Sequence, residues 1–122
     1  MTGAKVLIAD DEPNIVVSLQ FMLKREGYEV LVARDGLDAL DTIRRERPGL
    51  VLLDGMMPGM SGFAVCEAVR ADPELRDIRI LMLTAKGRET DIARGTGAGV
   101  DAYVTKPFST RDLIVQIRDI LA

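Results

Sequence analysis

Five short apolar runs, each followed by a stretch with helical character, leave this chain few folds to choose from. The runs are Val6 to Ala9, Val30 to Ala33, Leu50 to Leu53, Ile80 to Leu83 and Ala102 to Thr105. A run of this length bounded by turn signals has the pattern of a strand buried on both faces. Strict alternation of strand and helix builds a parallel sheet with helices on both sides. The 122 residues suffice for one domain, expected over 1–122, with a substantial core. Five strands fit the flavodoxin-like doubly wound order 2-1-3-4-5, an α/β fold.

The segments between the runs carry helix signals. Pro13 suits a first helical turn, and the acidic residues ahead of it suit the helix dipole. Ile15, Leu19, Met22 and Leu23 then share one face, and Gly27 ends the helix. Asp35 can cap a second helix, with Leu40 and Ile43 inward and Pro48-Gly49 as its stop. Ser61 can cap a third, carrying Val65, Cys66 and Val69 and ending near Asp72-Pro73. A helix over 88–99 is expected to be short or mobile, because Gly95, Gly97 and Gly99 each cost about 1 kcal/mol inside a helix. Ser109 with Asp112 resembles a capping box for the last helix, whose buried face is Leu113, Ile117, Ile120 and Leu121.

Four of the five runs end in polar residues: Asp10-Asp11, Asp54, Thr84 and Lys106. In a parallel sheet these ends lie along one edge, where functional side chains gather. In the order 2-1-3-4-5, the third strand sits between the first and the fourth. Neighbouring strands lie about 4.8 Å apart, so Asp10, Asp11 and Thr84 should flank Asp54, and a lysine can reach across from two strands away. Carboxylates so close repel one another. A hard divalent cation and one ammonium would balance them, and Mg²⁺ suits few carboxylates, several waters and a phosphoryl oxygen. The chain has no histidine. A carboxylate nucleophile is anionic at neutral pH and needs no general base. The residues therefore point to an aspartyl-phosphate site in which Asp54 attacks, Mg²⁺ and Lys106 hold the phosphoryl oxygens, and Thr84 donates a hydrogen bond.

Other functions are disfavoured. The net charge of −3 gives no electrostatic drive toward nucleic acid. No apolar run approaches a membrane span, and the first run leads straight into acidic residues, unlike a signal peptide. The lone Cys66 cannot form an internal disulfide and is expected in the core, which suits a cytoplasmic location. The methionines at 56, 57 and 60 are expected to pack the loop after the third strand.

The acidic pair, the run from Leu53 to Gly62 (Leu-Asp-Gly-Met-Met-Pro-Gly-Met-Ser-Gly), Leu83-Thr84-Ala85 and Tyr103 to Phe108 (Tyr-Val-Thr-Lys-Pro-Phe) resemble the response-regulator receiver domains of two-component signalling. The resemblance covers essentially the whole chain. It implies that Asp54 accepts a phosphoryl group from the phosphohistidine of a sensor histidine kinase or a histidine phosphotransfer protein. It implies Mg²⁺ on Asp11, Asp54 and the backbone carbonyl of Met56, with Asp10 helping, and a cis peptide before Pro107. Thr84 and Tyr103 would form the switch pair. The face made by the 88–99 helix, the fifth strand and the last helix would report the change to an output domain or downstream protein.

Two departures stand out. Gly55 occupies a position where the family more often has a β-branched residue, which predicts a looser loop. Arg111, Arg118 and Asp101 resemble the dimer face of the branch with winged-helix outputs. However, Ile92 and Ala102 stand where that branch carries a basic and an acidic residue, so its salt-bridge dimer is not expected, and an exposed Ile92 would give a homodimer through the 88–99 helix, the fifth strand and the last helix a more apolar contact. The chain is expected to be a switch that catalyses its own phosphorylation and dephosphorylation, not a turnover enzyme. A haloacid-dehalogenase-type hydrolase would need Asp-x-Asp after the first strand, where this chain has Asp10-Asp11-Glu12. A flavodoxin-like carrier would need a Ser/Thr/Gly-rich phosphate loop there. With Ala122 where the last helix closes, two alternatives stand, a stand-alone regulator and a receiver excised from a longer protein, the second slightly favoured.

Overall fold

The computed structural model describes residues 4–85 and 99–122. Five parallel strands, β1 (Lys5–Ala9), β2 (Glu29–Ala33), β3 (Leu50–Asp54), β4 (Arg79–Ala85) and β5 (Ala102–Lys106), form one sheet in the order β2-β1-β3-β4-β5. The helices among the described residues are α1 (Pro13–Arg25), α2 (Gly36–Glu46), α3 (Gly62–Ala71) and α4 (Thr110–Leu121). The strand order is the one the five apolar runs predict. The helix expected over 88–99, including Ile92, lies outside the described residues apart from Gly99.

The central strands β1, β3 and β4 are apolar along their middles because both faces are covered, with polar residues at their ends. Side chains alternate across the sheet, so the core divides in two. Val6, Ile8, Leu50, Leu52, Leu81 and Leu83 pack against α1 and α4 through Leu19, Leu23, Leu113 and Ile117. Leu7, Ala9, Val51, Leu53, Ile80 and Met82 pack against α2 and α3 through Leu40, Ile43, Val65 and Val69. Burying one such side chain stabilises the fold by roughly 1.5–3 kcal/mol, which fixes the register and with it the level at which each strand ends.

Helix boundaries follow the expected caps. The Asp35 carboxylate accepts the Asp38 N–H at 2.8 Å, and the Ser61 hydroxyl accepts the Ala64 N–H at 3.2 Å. Ser109 Oγ accepts the Asp112 N–H at 3.4 Å. Three details differ from expectation. The core face of α1 includes Val16, while Ile15 is only partly buried. Ile120 and Leu121 are partly buried as well. β4 and β5 run one or two residues longer than their apolar runs, so Thr84 and Lys106 lie within strands and not beyond them.

Candidate functional site

The sheet sets the geometry at its carboxyl edge. Asp54 pairs in register with Leu83, and the ladder continues one step as the Gly55 N–H donates to the Leu83 carbonyl at 3.1 Å. Asp10 follows the last residue of β1, its N–H held by the Ala33 carbonyl at 3.2 Å. Thr84 pairs with Thr105, and Lys106 with Ala85. Asp10, Asp54 and Thr84 are three of the four buried polar residues among the described residues, with exposures of 0%, 6% and 4%; the fourth, Thr42, lies on α2. A sheet that buries its polar side chains almost entirely at one edge has concentrated its costly groups in one place.

Lys106 crosses from β5 to meet them. Its ammonium donates to Asp10 Oδ2 at 2.9 Å and to Glu12 Oε1 at 3.0 Å, and lies 3.5 Å from Asp54 Oδ2. The other Asp54 oxygen, Oδ1, accepts the Met56 N–H at 3.0 Å. Asp10 Oδ1 accepts the Glu12 N–H at 2.9 Å. The Lys106–Pro107 peptide is cis.

The glycine-rich loop after β3 is shaped by close approach. Gly62, the first residue of α3, donates its N–H to the Gly55 carbonyl at 3.2 Å. A Cβ there would stand 2.2 Å from the Asp54 carbonyl oxygen, so only glycine lets α3 start against the end of β3. The looseness expected at Gly55 is offset by Phe63, which is buried: its ring would lie 3.1 Å from a Cβ added at Gly55. Met57 is buried and Met60 packs on the α2/α3 core, but Met56 is exposed, so not all three methionines pack the loop.

Burial is the main influence on Asp54. The Met56 N–H and the Lys106 charge oppose it and Asp10 reinforces it, and the carboxyl is pushed up to about 6. Burial also disfavours the charged Lys106, but its hydrogen bonds to Asp10 and Glu12 outweigh that and raise its pKa. Cys66 is a buried core residue whose thiol is pushed up to about 11 by desolvation, which leaves it a poor nucleophile.

One oxygen from each of Asp10, Glu12 and Asp54 lies within 4.8 Å of the others. Three carboxylates against one ammonium leave an excess of negative charge on hard oxygen donors, a set that suits Mg²⁺ better than a soft or redox-active metal. Asp11 does not join this group and is exposed. Side chains alternate along extended backbone, and Glu12 is extended at φ −89°, ψ 109°. Asp10 and Glu12 therefore share a side that Asp11 does not. Glu12 is the residue the sequence reading passed over, having been counted toward the helix dipole. The available signal was its i, i+2 spacing from Asp10 and its position before Pro13, where a long carboxylate is a poor cap.

The remaining residues singled out in the sequence are spread around this centre. Tyr103 pairs with Met82 in register and packs, partly buried, against the α2/α3 core. Asp101 is engaged within the chain: its Oδ2 accepts Arg70 Nη2 at 2.9 Å and the Ile80 N–H at 2.7 Å. Arg118 is bonded to Glu26, the C-cap residue of α1. Arg111 lines a groove of about 610 Å³ between α1 and α4 with Phe21, Arg25 and Val115, a groove that shares no residue with the carboxylate cluster.

Residues 6–118 match the response regulator receiver domain family. A protein from Chloroflexus aurantiacus J-10-fl, described as a response regulator, is 34% identical over 98% of both chains with a TM-score of 0.93. The chemotaxis response regulator CheY4 of Vibrio cholerae is 33% identical over 98% of this chain and 100% of its own, at a TM-score of 0.91. The receiver domain of the sensor histidine kinase PA1611 from Pseudomonas aeruginosa PAO1, solved with a magnesium ion coordinated in its active-site cleft, is 28% identical over 98% of both chains, at 0.90. No helix among the described residues is long and apolar enough to cross a membrane.

Proposed function

This chain belongs to the response regulator receiver family, and from that premise we propose that it takes a phosphoryl group onto Asp54 from the phosphohistidine of a sensor kinase or phosphotransfer protein. The observation that carries the reading is the buried Asp54 carboxylate, with one oxygen held by the Met56 N–H and the other facing the Lys106 ammonium at 3.5 Å. In the transfer, an Asp54 carboxylate oxygen forms a bond to phosphorus as the phosphorus–nitrogen bond of the donor breaks. The freed imidazole takes up a proton from water. Asp54 enters as the anion; its carboxyl, at about 6 with no cation beside it, would be brought lower by bound Mg²⁺, so the fall in rate on acidification should lie below that value.

Asp10, Asp54 and the Met56 carbonyl, with Asp11 after a change of side-chain rotamer, would hold Mg²⁺. When bound, the ion neutralises charge on the phosphoryl oxygens. Lys106 needs to move little to meet a phosphoryl oxygen attached to Asp54. Thr84, one residue past the register partner of Asp54, supplies a hydroxyl that can donate to another. A dianionic group at this edge biases Thr84 and Tyr103 on neighbouring strands, and the face around β5 and α4 passes the bias to an output domain or partner. The protein is then a switch that catalyses its own phosphorylation and dephosphorylation without turnover of a free substrate. A homodimer through that face would have to replace the contacts that Asp101 and Arg118 make within the chain.

The test is intact mass after incubation with a small-molecule phosphodonor and Mg²⁺. One phosphoryl group should be gained by the native protein, and none by Asp54→Asn or after chelation. A gain that persists in Asp54→Asn would refute the assignment.

A further inference from the structure

Glu12 has no place in the reading above, yet it makes one of the two short bonds to Lys106. It is the N-cap residue of α1, a position where Ser, Thr, Asp or Asn usually accepts an N–H from the first turn. Glu12 makes no such bond. Its side chain, 57% exposed, reaches instead across the mouth of the site to the Lys106 ammonium at 3.0 Å, while its own N–H is fixed by Asp10 Oδ1 at 2.9 Å. The ammonium has three N–H donors. Two serve Asp10 and Glu12 at 2.9 and 3.0 Å, and Asp54 is left at 3.5 Å, outside good N–H···O distance.

We infer that Glu12 is a positioning residue that holds Lys106 at the lip of the site and so leaves Asp54 open to a divalent cation. The physical reason is competition for one carboxylate oxygen. Without the Glu12 carboxylate, Lys106 gains by closing the remaining distance to Asp54 Oδ2, where desolvation makes a charge-assisted bond stronger than at the lip. A cation approaching Asp54 must then displace an ammonium from the oxygen it needs and is repelled by it. Glu12 thus acts through Lys106 and need not touch the ion. Its effect on a loaded site should vanish once the lysine charge is gone.

This inference rests on Asp54 and its neighbours forming the cation site, and a double-mutant cycle separates the two. Mg²⁺ affinity is measured by titration calorimetry on the native chain, Glu12→Gln, Lys106→Met and the double variant. Asp38→Asn, on the exposed start of α2, serves as a control for net charge. Glu12→Gln should weaken Mg²⁺ binding by about threefold to tenfold. Glu12→Asp, which keeps the charge on a shorter arm, should recover part of the loss, and Asp38→Asn should change little. In the Lys106→Met background, Glu12→Gln should have little effect. An equal loss in both backgrounds would make Glu12 a direct ligand and overturn the inference, as would no loss in either. If the native chain binds no Mg²⁺, the underlying reading of the site fails instead.

Discussion

Two cations in this protein each gather several oxygens, and they do opposite things. Arg70, near the end of α3, donates to the Gly99 carbonyl at 2.8 Å, to the Arg76 and Ile78 carbonyls at 2.7 and 2.6 Å, and to Asp101 Oδ2 at 2.9 Å. Its planar fork meets three neutral carbonyls and one carboxylate, so charge is balanced and the directions of the N–H groups are matched. The Asp101 backbone N–H also donates to the Ile80 carbonyl at 2.9 Å, so this node ties α3, the start of β4 and the approach to β5 into one unit. Lys106, at the opposite end of β5, is a point charge among three carboxylates. Its node remains negative, and within it the buried Asp54 carboxyl is pushed up, first by desolvation and further by Asp10. A satisfied node holds a fold, whereas an over-negative node has the charge to attract a cation. That contrast is visible in which groups are neutral, not in how many bonds each cation makes.

The largest expected effect comes from breaking the balanced node. Arg70→Ala strands carbonyls at a strand entrance and should lower stability by about 3 kcal/mol, read by urea denaturation. Arg70→Lys should recover less than half of that, because an ammonium cannot fork. Mg²⁺ affinity at the other end of the sheet should stay within experimental error in Arg70→Lys.

Relieving the over-negative node should do the reverse. The Asp54 carboxyl sits at about 6 against an ordinary 3.8, so the folded state holds its proton more tightly than the unfolded chain. The contribution of this group to stability is therefore greatest below about pH 4, declines as the pH rises to about 6, and stays low above it. At neutral pH, Asp54→Asn should be more stable than the native protein by on the order of 2 kcal/mol. The difference should shrink on acidification through that window, as followed by thermal melts across pH. Saturating Mg²⁺ should narrow the gap at neutral pH by stabilising only the native protein. A difference that does not vary with pH would mean the two nodes are electrostatically alike.

The smallest effect belongs to a third cation. Arg118 bonds Glu26 on the surface between α4 and α1, with the arginine side chain 59% exposed. Solvent screens such a pair, and its geometry must be held by two long side chains. Arg118→Gln should leave both the melting curve and the Mg²⁺ titration unchanged within error.

The sequence made the balanced and unbalanced regions legible to different degrees. Strand order and the four polar strand ends followed from the alternation of apolar runs, because a strand buried on both faces carries its polar residues near its ends. Asp10, Asp54, Thr84 and Lys106 were found that way, and the caps at Asp35, Ser61 and Ser109 were found from local turn chemistry. What escaped depended on side-chain direction. Asp11 and Glu12 are adjacent acidic residues, and only the extended backbone at the turn decides which one faces Lys106. The Arg70 node escaped altogether: its acceptors are mainly backbone carbonyls, which every sequence has. The filling of the space beside Gly55 by Phe63 is likewise a matter of packing between residues eight apart, with no local signature.

The most direct measurement of the central claim is the position of the acyl phosphate. After reaction with a phosphodonor and Mg²⁺, borohydride reduces an aspartyl phosphate to homoserine, which peptide mapping locates. The account predicts homoserine at position 54 alone, and at no position when Mg²⁺ is chelated. Homoserine at position 10 or 11, or a reduced glutamyl residue at position 12, would contradict it.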